Sequence, residues 1–300
     1  MSKMEYLKNL PVAVLGGGAV GKTCAADIKL AGHEVRLYDV MPFAEKSLKD
    51  LDKTGILFDG IQRNRDCFER SGRAFIDIVT TDIEKAIKGA GHIVVSCGSW
   101  GHEAMFRAMI PYLEDGQVVN VFADNFGCLL LRRLMREMGC TKKVIVGGWS
   151  SAPYGTRLES IGKCVFPHVS AKYRAITLRG AALPMTDTDD FLEASKHLPC
   201  MDAITNGDGP SKANTILDVD FANVNPVIHV PATILGVSTM ENWGVIFGGH
   251  DKTTYSMYSH GLCPSICEVQ YQFYNEEIAL AEAIGVDEVH AELLPGDKVA

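Results

Sequence analysis

The stretch that decides the fold is Val12-Ala13-Val14-Leu15-Gly16-Gly17-Gly18-Ala19-Val20-Gly21. Four consecutive apolar residues that end in glycines are typical of a buried parallel strand. A helical pattern follows and ends at Gly32, and residues 34–39 then have the character of a second strand. Together these segments predict one strand–helix–strand unit of about 30 residues.

The same alternation continues along the chain. Further strands are predicted at residues 75–79, 93–96, 118–122 and 144–146, and helices at residues 82–90, 103–113 and 129–138. Residues 164–183 have β character, residues 189–197 are helical, and the segments 211–237 and 266–284 are mainly helical with no clear strands. Strands that alternate with helices predict an α/β fold with a doubly wound, mostly parallel sheet.

A cluster of turn formers, residues 206–210, marks a change of pattern. We therefore predict a dinucleotide-binding Rossmann domain over residues 1–206 and an all-helical substrate domain over residues 207–300. The apolar segments of the helical domain favour a homodimer.

Composition limits the classes of partner. The 300 residues carry 29 Lys and Arg against 37 Asp and Glu, a net charge of −8. Nucleic-acid and anionic-membrane binders are more usually basic, so small molecules are the expected partners. The nine cysteines are scattered, which favours reduced buried thiols and no metal site. No signal-peptide pattern and no run of about 18 apolar residues is found, so we expect a cytoplasmic protein.

The glycine loop matches the pattern G-x-G-x-x-G. The first glycine permits a tight turn, the second lets the backbone approach a pyrophosphate, and the third lets helix and strand pack closely. We therefore expect the cofactor to contact Gly16, Gly17, Gly18, Ala19, Val20 and Gly21. Asp39 closes the second strand, where a carboxylate accepts hydrogen bonds from ribose hydroxyls and repels a 2′-phosphate. NAD is the predicted cofactor, while Arg36 on the same strand leaves NADP open.

Extended to Lys22 and Thr23, the same stretch also matches the phosphate-loop pattern G-x-x-x-x-G-K-[ST]. In that interpretation Lys22 holds nucleotide phosphates, Thr23 binds Mg²⁺ and Asp124 is the candidate metal-binding acid. The position of Asp39 favours the dinucleotide interpretation, because a phosphate-loop protein needs no acid there.

A second informative segment is Asn223-Val224-Asn225-Pro226-Val227-Ile228-His229-Val230-Pro231. Asn225 and His229 are four residues apart, so on a helix they share one face. An imidazole there is suited to general acid–base catalysis at neutral pH. A histidine that simply packs in the core explains the pattern as well, and spacing alone does not separate the two.

Several motifs together resemble the octopine/nopaline (opine) dehydrogenase family, including its norvaline-type bacterial members. The resemblance runs from about Val12 to Asp287. Its pieces are the glycine loop with Asp39, Thr81-Asp82-Ile83-Glu84-Lys85-Ala86, Gly98-Ser99-Trp100-Gly101-His102, Ala152-Pro153-Tyr154-Gly155-Thr156-Arg157, residues 223–231 and Glu276-Glu277-Ile278-Ala279-Leu280-Ala281. The Asn-x-x-x-His segment is the most specific of these pieces.

The resemblance implies a reaction and roles. Enzymes of this family condense the amino group of an amino acid with an α-keto acid and reduce the imine with NAD(P)H. By analogy His229 binds the keto-acid carbonyl and moves a proton, and Asn225 orients the substrate. Ser151 lies near the amino-acid pocket, where serines in place of an acid favour a small or apolar amino acid over arginine. Cofactor- or substrate-facing positions are also expected at Asn125, Cys97 and His102.

One departure from the family keeps alternatives open. The family's histidine has a carboxylate partner from a later segment, which this chain lacks before Ala300. A shortened chain, a substitute acid such as Glu268 or Glu276, or a different chemistry would each account for this. The alternatives are a hydroxy-acid or ketopantoate-like dehydrogenase, a phosphate-loop nucleotide-binding protein, and a non-catalytic NAD sensor.

Overall fold

The structure, a computed structural model, describes residues 3–60, 70–158, 168–174, 178–201, 210–248 and 254–286. The chain divides into two compact units, Met1–Asp220 and Phe221–Ala300. The boundary predicted between residues 206 and 207 lies outside the described residues.

Strands occur only in the first unit, as far as the described residues go. They are β1 (Val12–Leu15), β2 (Val35–Tyr38), β3 (Ile56–Gly60), β4 (Gly72–Ala74), β5 (Ile78–Thr80), β6 (His92–Val95), β7 (Val118–Phe122), β8 (Ile145–Trp149), β9 (Tyr154–Leu158), β10 (His168–Arg174), β11 (Arg179–Ala182) and β12 (Ser211–Lys212).

The helices of the first unit alternate with these strands. They are α1 (Ala19–Leu30), α2 (Ala44–Ser47), α3 (Leu51–Thr54), α4 (Ile83–Ile87), α5 (His102–Met109), α6 (Gly127–Glu137), α7 (Thr188–Ser195) and α8 (Ile216–Phe221), whose last residue belongs to the second unit. Short 3₁₀ turns are Glu5–Asn9, Ser99–Gly101, Ile110–Tyr112, Met185–Asp187 and Pro199–Met201.

The larger sheet has the order β12-β11-β8-β7-β6-β1-β2-β5. Within it β11 and β8 pair antiparallel, and the other recorded pairs are parallel. The chain builds β1, β2 and β5 in one direction and then returns to place β6, β7 and β8 on the other side of β1. This reversal confirms the predicted doubly wound sheet, and the gap beyond β1 and β6 is where such sheets bind ligands.

The sheet is buried on both faces, as its continuous apolar strands predict. Val12 and Val14 of β1 enter a core shared with α1 and α7, while Ala13 and Leu15 enter a second core shared with α4, α5 and α6. Successive side chains of a strand point to opposite faces, so one strand supplies both cores. Burial on both faces fixes where the carboxyl end of each strand lies.

A smaller sheet of order β4-β3-β10-β9 was not predicted. It is tied to α1 through Asp27, which accepts a hydrogen bond from Arg70 Nε at 2.6 Å and another from the Tyr154 hydroxyl. Asp27 is buried, so this charge-assisted pairing compensates its desolvation. Of its strands only β10 falls in the stretch predicted as β, residues 164–183. The strands β3, β4 and β9 were not predicted, because they do not follow the strand–helix alternation.

Two local predictions were wrong. The segment predicted as one strand, residues 75–79, runs from the end of β4 in the smaller sheet into β5 in the larger one. Between the two strands, Phe75 is exposed and the Asp77 carboxylate accepts the Val35 N–H at 2.8 Å. The helical stretch predicted from Ser211 begins instead with β12, which pairs parallel to β11 at the sheet edge.

The described part of the second unit is helical, as predicted. Its helices are α9 (Asn225–Leu235), α10 (Val237–Glu241), α11 (Trp243–Ile246) and α12 (Pro264–Ala283), with a π-helical turn at Met257–Gly261. None of the helices in the described residues combines the length and apolar character needed to cross a membrane.

Candidate functional site

The glycine loop between β1 and α1 is tightly packed at Gly16, Gly17 and Gly21 and open at Gly18. Gly16 has φ of +114°, which favours glycine. A Cβ on Gly21 would lie 1.8 Å from the Gly16 carbonyl oxygen, so helix and strand pack too closely for any side chain. A Cβ on Gly18, which precedes α1, would meet nothing within 4 Å. This open space at the start of a twelve-residue helix fits a diphosphate, which the free N–H groups of the first turn can bind.

Asp39 lies beside this loop at the end of β2. Its carboxylate accepts hydrogen bonds from the Ser47 hydroxyl and from the Val40 N–H, the latter at 2.9 Å. The Gly16 N–H donates to the Tyr38 carbonyl at 2.8 Å, which joins the loop to the end of the same strand. Asp39 is thus held where the dinucleotide interpretation requires a ribose acceptor.

Arg36 is turned to another partner. Its guanidinium bonds the Glu34 carboxylate at 3.0 Å and the Lys88 carbonyl at 2.5 Å, at the carboxyl end of α4. From the sequence alone, the Arg36 guanidinium was the group that could bind the 2′-phosphate of NADP. Because that guanidinium is bonded to Glu34 and Lys88, the geometry favours a cofactor without a 2′-phosphate.

Lys22 and Thr23 are used inside the fold, which argues against the phosphate-loop interpretation. Lys22 is buried and donates to the Gly17 carbonyl, and burial lowers its pKa to about 8. The Thr23 hydroxyl is also buried and bonds the Ala19 carbonyl at 2.8 Å and the Thr156 hydroxyl at 2.7 Å. A phosphate loop needs that ammonium and that hydroxyl to face the nucleotide and its metal ion.

The loop after β6 brings Cys97 beside the glycine loop. A Cβ on Gly16 would lie 3.1 Å from the Cys97 backbone nitrogen, and burial raises the pKa of the Cys97 thiol to about 11. His102 lies deeper, because its ring is buried against Phe106 at a centroid distance of 5.1 Å. Burial lowers the pKa of His102, so the ring is neutral at pH 7. Cys97 is therefore placed to line a cofactor, whereas the His102 side chain is enclosed by the core.

An exposed aromatic pair spans the same region. Phe43 follows β2 and Trp100 follows β6, and their ring centroids are 5.8 Å apart at an angle of 57°. Trp100 is 80% exposed, a large fraction for an indole. Because β2 and β6 flank β1, the two rings lie on the segments that follow the two strands beside the one that carries the glycine loop.

Asn125 lies on a turn of unusual backbone at the end of β7. Both Asn125 (φ +46°) and Phe126 (φ +62°) are left-handed, which costs roughly 1 to 3 kcal/mol for each residue. The turn is held by two buried carboxyl groups, since Asp220 accepts the Phe126 N–H at 2.7 Å and Asp124 accepts the Cys128 N–H at 2.9 Å. Asp124 is thus buried beneath the turn and does not face a nucleotide-bound metal ion.

Ser151 follows the carboxyl end of β8 and is partly exposed. The neighbouring Ser150 is buried, and its hydroxyl accepts the Arg179 N–H at 3.2 Å. Only Ser151 of the two is therefore placed to meet a substrate. The structure brings the predicted Gly16–Gly21 loop, Asp39, Cys97, Asn125 and Ser151 to one edge of the large sheet.

Asn225 and His229 lie in the second unit on the first turns of α9, both partly exposed. The Asn225 side-chain amide donates to Asn223 Oδ1 at 2.6 Å, which fixes its orientation. The His229 ring meets Tyr258 edge to face, with centroids 5.8 Å apart and an interplanar angle of 77°. Tyr258 belongs to the π-helical turn, a feature that often occurs at functional sites.

The substitute acids suggested by the sequence lie on α12. Glu268 and Glu276 are both exposed, and Glu268 accepts a hydrogen bond from Gln272 at 3.0 Å. Glu277 is partly buried, and burial raises its pKa to about 7. The partner of His229 stays a prediction.

Sequence reasoning gave no role to Phe43, Asp220 and Tyr258, nor to Trp100, which it quoted only as part of the motif at residues 98–102. Their contacts join segments far apart in the chain, so no local pattern carries them. The one signal available was Trp100, an aromatic residue within a polar glycine-containing loop.

Residues 212–294 match the family model described as "NAD/NADP octopine/nopaline dehydrogenase, alpha-helical domain". A curated relative, the opine dehydrogenase of Arthrobacter sp. (strain 1C), is 27% identical over 278 residues, which are 92% of this chain and 68% of the relative. These matches confirm the resemblance to the opine dehydrogenase family.

Two solved structures show the same fold. Octopine dehydrogenase with NADH and L-arginine has a TM-score of 0.66 at 20% identity, over 97% of this chain and 67% of that one. Yersinopine dehydrogenase with NADP⁺ bound has a TM-score of 0.68 at 15% identity, over 94% of this chain and 66% of that one. The chain spans about two thirds of the length of these relatives.

Proposed function

We propose that this chain is an NAD(P)H-dependent dehydrogenase of the opine type, which condenses the amino group of an amino acid with an α-keto acid and reduces the imine. One observation carries the proposal. An open glycine loop beside Asp39 occurs in the same chain as a helical segment that matches the family model and contains Asn225 and His229.

The residues present fit a dinucleotide. Backbone N–H groups at the start of α1 bind the diphosphate, and Asp39 accepts hydrogen bonds from the adenosine ribose. Because Asp39 repels a 2′-phosphate and Arg36 is bonded to Glu34 and Lys88, NAD is the preferred form. The bound cofactor supplies the hydride.

The proton transfers fall to His229. Its imidazole donates a hydrogen bond to the keto-acid carbonyl oxygen while the amino nitrogen bonds to the carbonyl carbon. That oxygen then leaves as water, with one proton from the amino nitrogen and one from the protonated imidazole, as the C=N bond forms. Asn225, one helical turn earlier, shares its face and orients the keto acid. Ser151 replaces the acid that would bind a guanidinium, so the amino acid is small or apolar.

The experiment follows NADH oxidation with pyruvate and a panel of small, apolar and basic amino acids. We expect turnover only when keto acid and amino acid are both present. His229→Asn should lower kcat by roughly 100-fold or more with little change in NADH affinity. His260→Asn is the matched control, because His260 lies in the same unit and its ring accepts the Ser256 N–H at 3.0 Å.

Each alternative has a different outcome. Turnover of the keto acid without an amine would indicate a hydroxy-acid or ketopantoate-like dehydrogenase. NADH binding without turnover of any pair would indicate an NAD sensor, and thermal stabilisation by MgATP alone would indicate a phosphate-loop protein. The homodimer and the cytoplasmic location stay predictions, and light scattering tests the first.

A further inference from the structure

Two buried carboxyl groups meet beneath the Asn125–Phe126 turn. Asp124 follows β7 and Asp220 ends the first unit, and their exposed fractions are 1% and 6%. Each carboxyl group accepts one backbone N–H through its Oδ1 atom. Asp124 accepts the N–H of Cys128, and Asp220 accepts the N–H of Phe126. The Oδ2 atoms of both are buried and receive no hydrogen bond from any donor in the described residues.

No described cation offsets their charge. On α6, Cys128 faces Asp124 with a thiol whose pKa burial raises well above its usual value. Arg132, the cation of α6 on this side, bonds the Leu183 and Val144 carbonyls instead.

The other neighbouring elements add no charge either. His102 of α5 packs against the start of α6, where a Cβ on Gly127 would lie 2.9 Å from the His102 Nδ1. Burial lowers the pKa of His102, so its ring is neutral and adds no charge. From β8, Gly148 packs directly against Asp124, because a Cβ there would lie 2.4 Å from the Asp124 Cγ. A glycine at this position brings no charge to the carboxyl group.

Two ionised carboxylates without a counter-charge are unstable in such a site, so one group keeps its proton. Burial and then the charge of Asp124 raise the pKa of Asp220 to about 9. A proton between the two Oδ2 atoms would satisfy both of the atoms that lack a donor.

The turn above the pair depends on these groups. Asn125 and Phe126 both adopt left-handed backbone, and the Phe126 N–H ends on Asp220. The Gly127 N–H donates to the Asp124 carbonyl at 2.7 Å, so the same two residues hold both sides of the turn. Asn125 lies at the carboxyl end of β7, next to β6, where the strand order reverses and ligands bind.

We propose that Asp124 and Asp220 share one proton and, as a pair with a single negative charge, hold the strained turn that presents Asn125 to the ligand. Asp220 and Asp124 are positioning residues, which act through the turn and not on the substrate. Loss of the shared proton leaves two buried charges, which separate and release the Phe126 N–H. That Asn125 faces a cofactor or substrate rests on the proposed function, whereas the sharing of the proton does not.

The first experiment uses the protein without ligand. Pulsed hydrogen exchange measures the Phe126 and Cys128 amides between pH 7 and pH 10, and each variant is compared with the parent at the same pH. Asp220→Asn keeps a neutral partner for Asp124, and Asp220→Ala removes it. Asp218→Asn is the control, because Asp218 lies on the same helix and accepts the Thr215 N–H instead.

We expect the parent to lose protection at these amides above about pH 9, whereas Asp220→Asn keeps it. Asp220→Ala should exchange at least tenfold faster at pH 7, and Asp218→Asn should match the parent. If Asp220→Ala fails to fold, Asp124→Asn replaces it, since it also removes the titrating pair and should abolish the alkaline loss. The same alkaline loss in Asp220→Asn as in the parent would overturn the shared proton.

The second experiment measures NADH affinity and the pyruvate KM over the same pH range. In the parent the pyruvate KM should rise severalfold above pH 9, and in Asp220→Asn it should stay flat while kcat is kept. An exchange effect with no change in either constant would overturn the positioning role. Absence of any turnover would reject the proposed function instead, while the exchange data still decide on the pair.

Discussion

A Cβ atom on Gly17 would lie 2.8 Å from Oδ2 of Asp39. The same Cβ would lie 2.8 Å from the Ser47 hydroxyl that donates to this carboxylate. Gly17 occupies an unspecified position of the G-x-G-x-x-G pattern, yet this carboxylate leaves no room for a side chain there. The glycine loop and the Asp39 carboxylate are therefore one packed unit, and the contribution that each makes to cofactor binding can be tested.

Gly18→Ala should weaken NADH binding by about tenfold or more with little loss of stability. The Gly18 backbone, with φ of −74°, suits alanine, and the new Cβ enters only the open space that the diphosphate needs. Calorimetry with NADH and thermal unfolding measure the two effects. Gly21→Ala is the matched control, and overpacking against the Gly16 carbonyl should destabilise it by about 1 to 3 kcal/mol or more. NADH affinity equal to that of the parent in Gly18→Ala would exclude this loop as the diphosphate site.

Asp39→Asn should shift cofactor choice toward NADPH. Removal of the charge ends its repulsion of a 2′-phosphate while the amide can still meet the Ser47 hydroxyl. We expect the ratio of NADH to NADPH affinity to fall by roughly tenfold, which corresponds to about 1.4 kcal/mol of binding free energy. Glu45→Gln, an exposed acid on α2, serves as control. An unchanged ratio would show that Asp39 does not face the ribose.

Trp100→Leu should weaken binding of NADH and of ADP-ribose alike. The exposed Phe43–Trp100 pair offers a stacking surface, and stacking of a base on an aromatic ring is worth about 1 to 3 kcal/mol. Phe75→Leu is the control, because it removes an aromatic ring that is as exposed as Phe43, at 53%, but lies outside the pair. It should leave the binding of NADH and ADP-ribose unchanged. Tryptophan fluorescence provides the direct measurement, because ADP-ribose should quench the emission of the parent and not of the variant. Equal quenching in both proteins would rule out contact between the base and Trp100.

Lys22→Met should flatten the dependence of stability on alkaline pH. Burial lowers the pKa of Lys22 from 10.5 to about 8, so between these values the unfolded chain binds more protons than the folded one. Stability contributed by this group therefore rises with pH from about 8 to 10.5 and is lowest below pH 8. The variant should be more stable than the parent at pH 7 by roughly 1 to 3 kcal/mol, less the lost bond to the Gly17 carbonyl.

Urea unfolding at pH 7, 8.5 and 10 measures this effect as a difference between variant and parent. The difference is needed because Asp220 contributes in the opposite sense: its raised pKa makes the folded state bind the extra proton, so its stability contribution falls as pH rises toward about 9. Lys85→Met, on the exposed face of α4, is the control. A parallel pH profile in Lys22→Met and the parent would contradict the prediction.

The central strands of the large sheet could be predicted because their signals are local. Each apolar run, such as Val12–Leu15, identifies a strand buried on both faces, and the intervening helical patterns force parallel crossovers. The small sheet could be predicted only at β10, which lies within the stretch 164–183 of β character. A strand such as β4, with three residues, is stabilised by its neighbours and by α1 through the Asp27–Arg70 pair. Short strands have little preference of their own, so tertiary contacts decide them.

The candidate site divides in the same way. Gly16, Gly21 and Asp39 follow from spacing along one strand–helix–strand unit. The enclosed position of His102 depends instead on the packing of α5 against the start of α6, where a Cβ on Gly127 would lie 2.9 Å from His102 Nδ1, and no spacing along the chain reports this contact.

The sequence by itself determined that a glycine loop of the pattern G-x-G-x-x-G precedes the first helix, that an acid ends the next strand, and that Asn225 and His229 share a helix face. Only the tertiary structure decided that Lys22 turns inward to the Gly17 carbonyl, that Arg36 is bonded away at α4, and that Asp220 meets Asp124 beneath Asn125. The physical reason is that burial and charge pairing depend on residues far apart in the chain. Desolvation of an ammonium or a carboxyl group is set by everything that packs around it, whereas helical and strand periodicity is set by near neighbours alone.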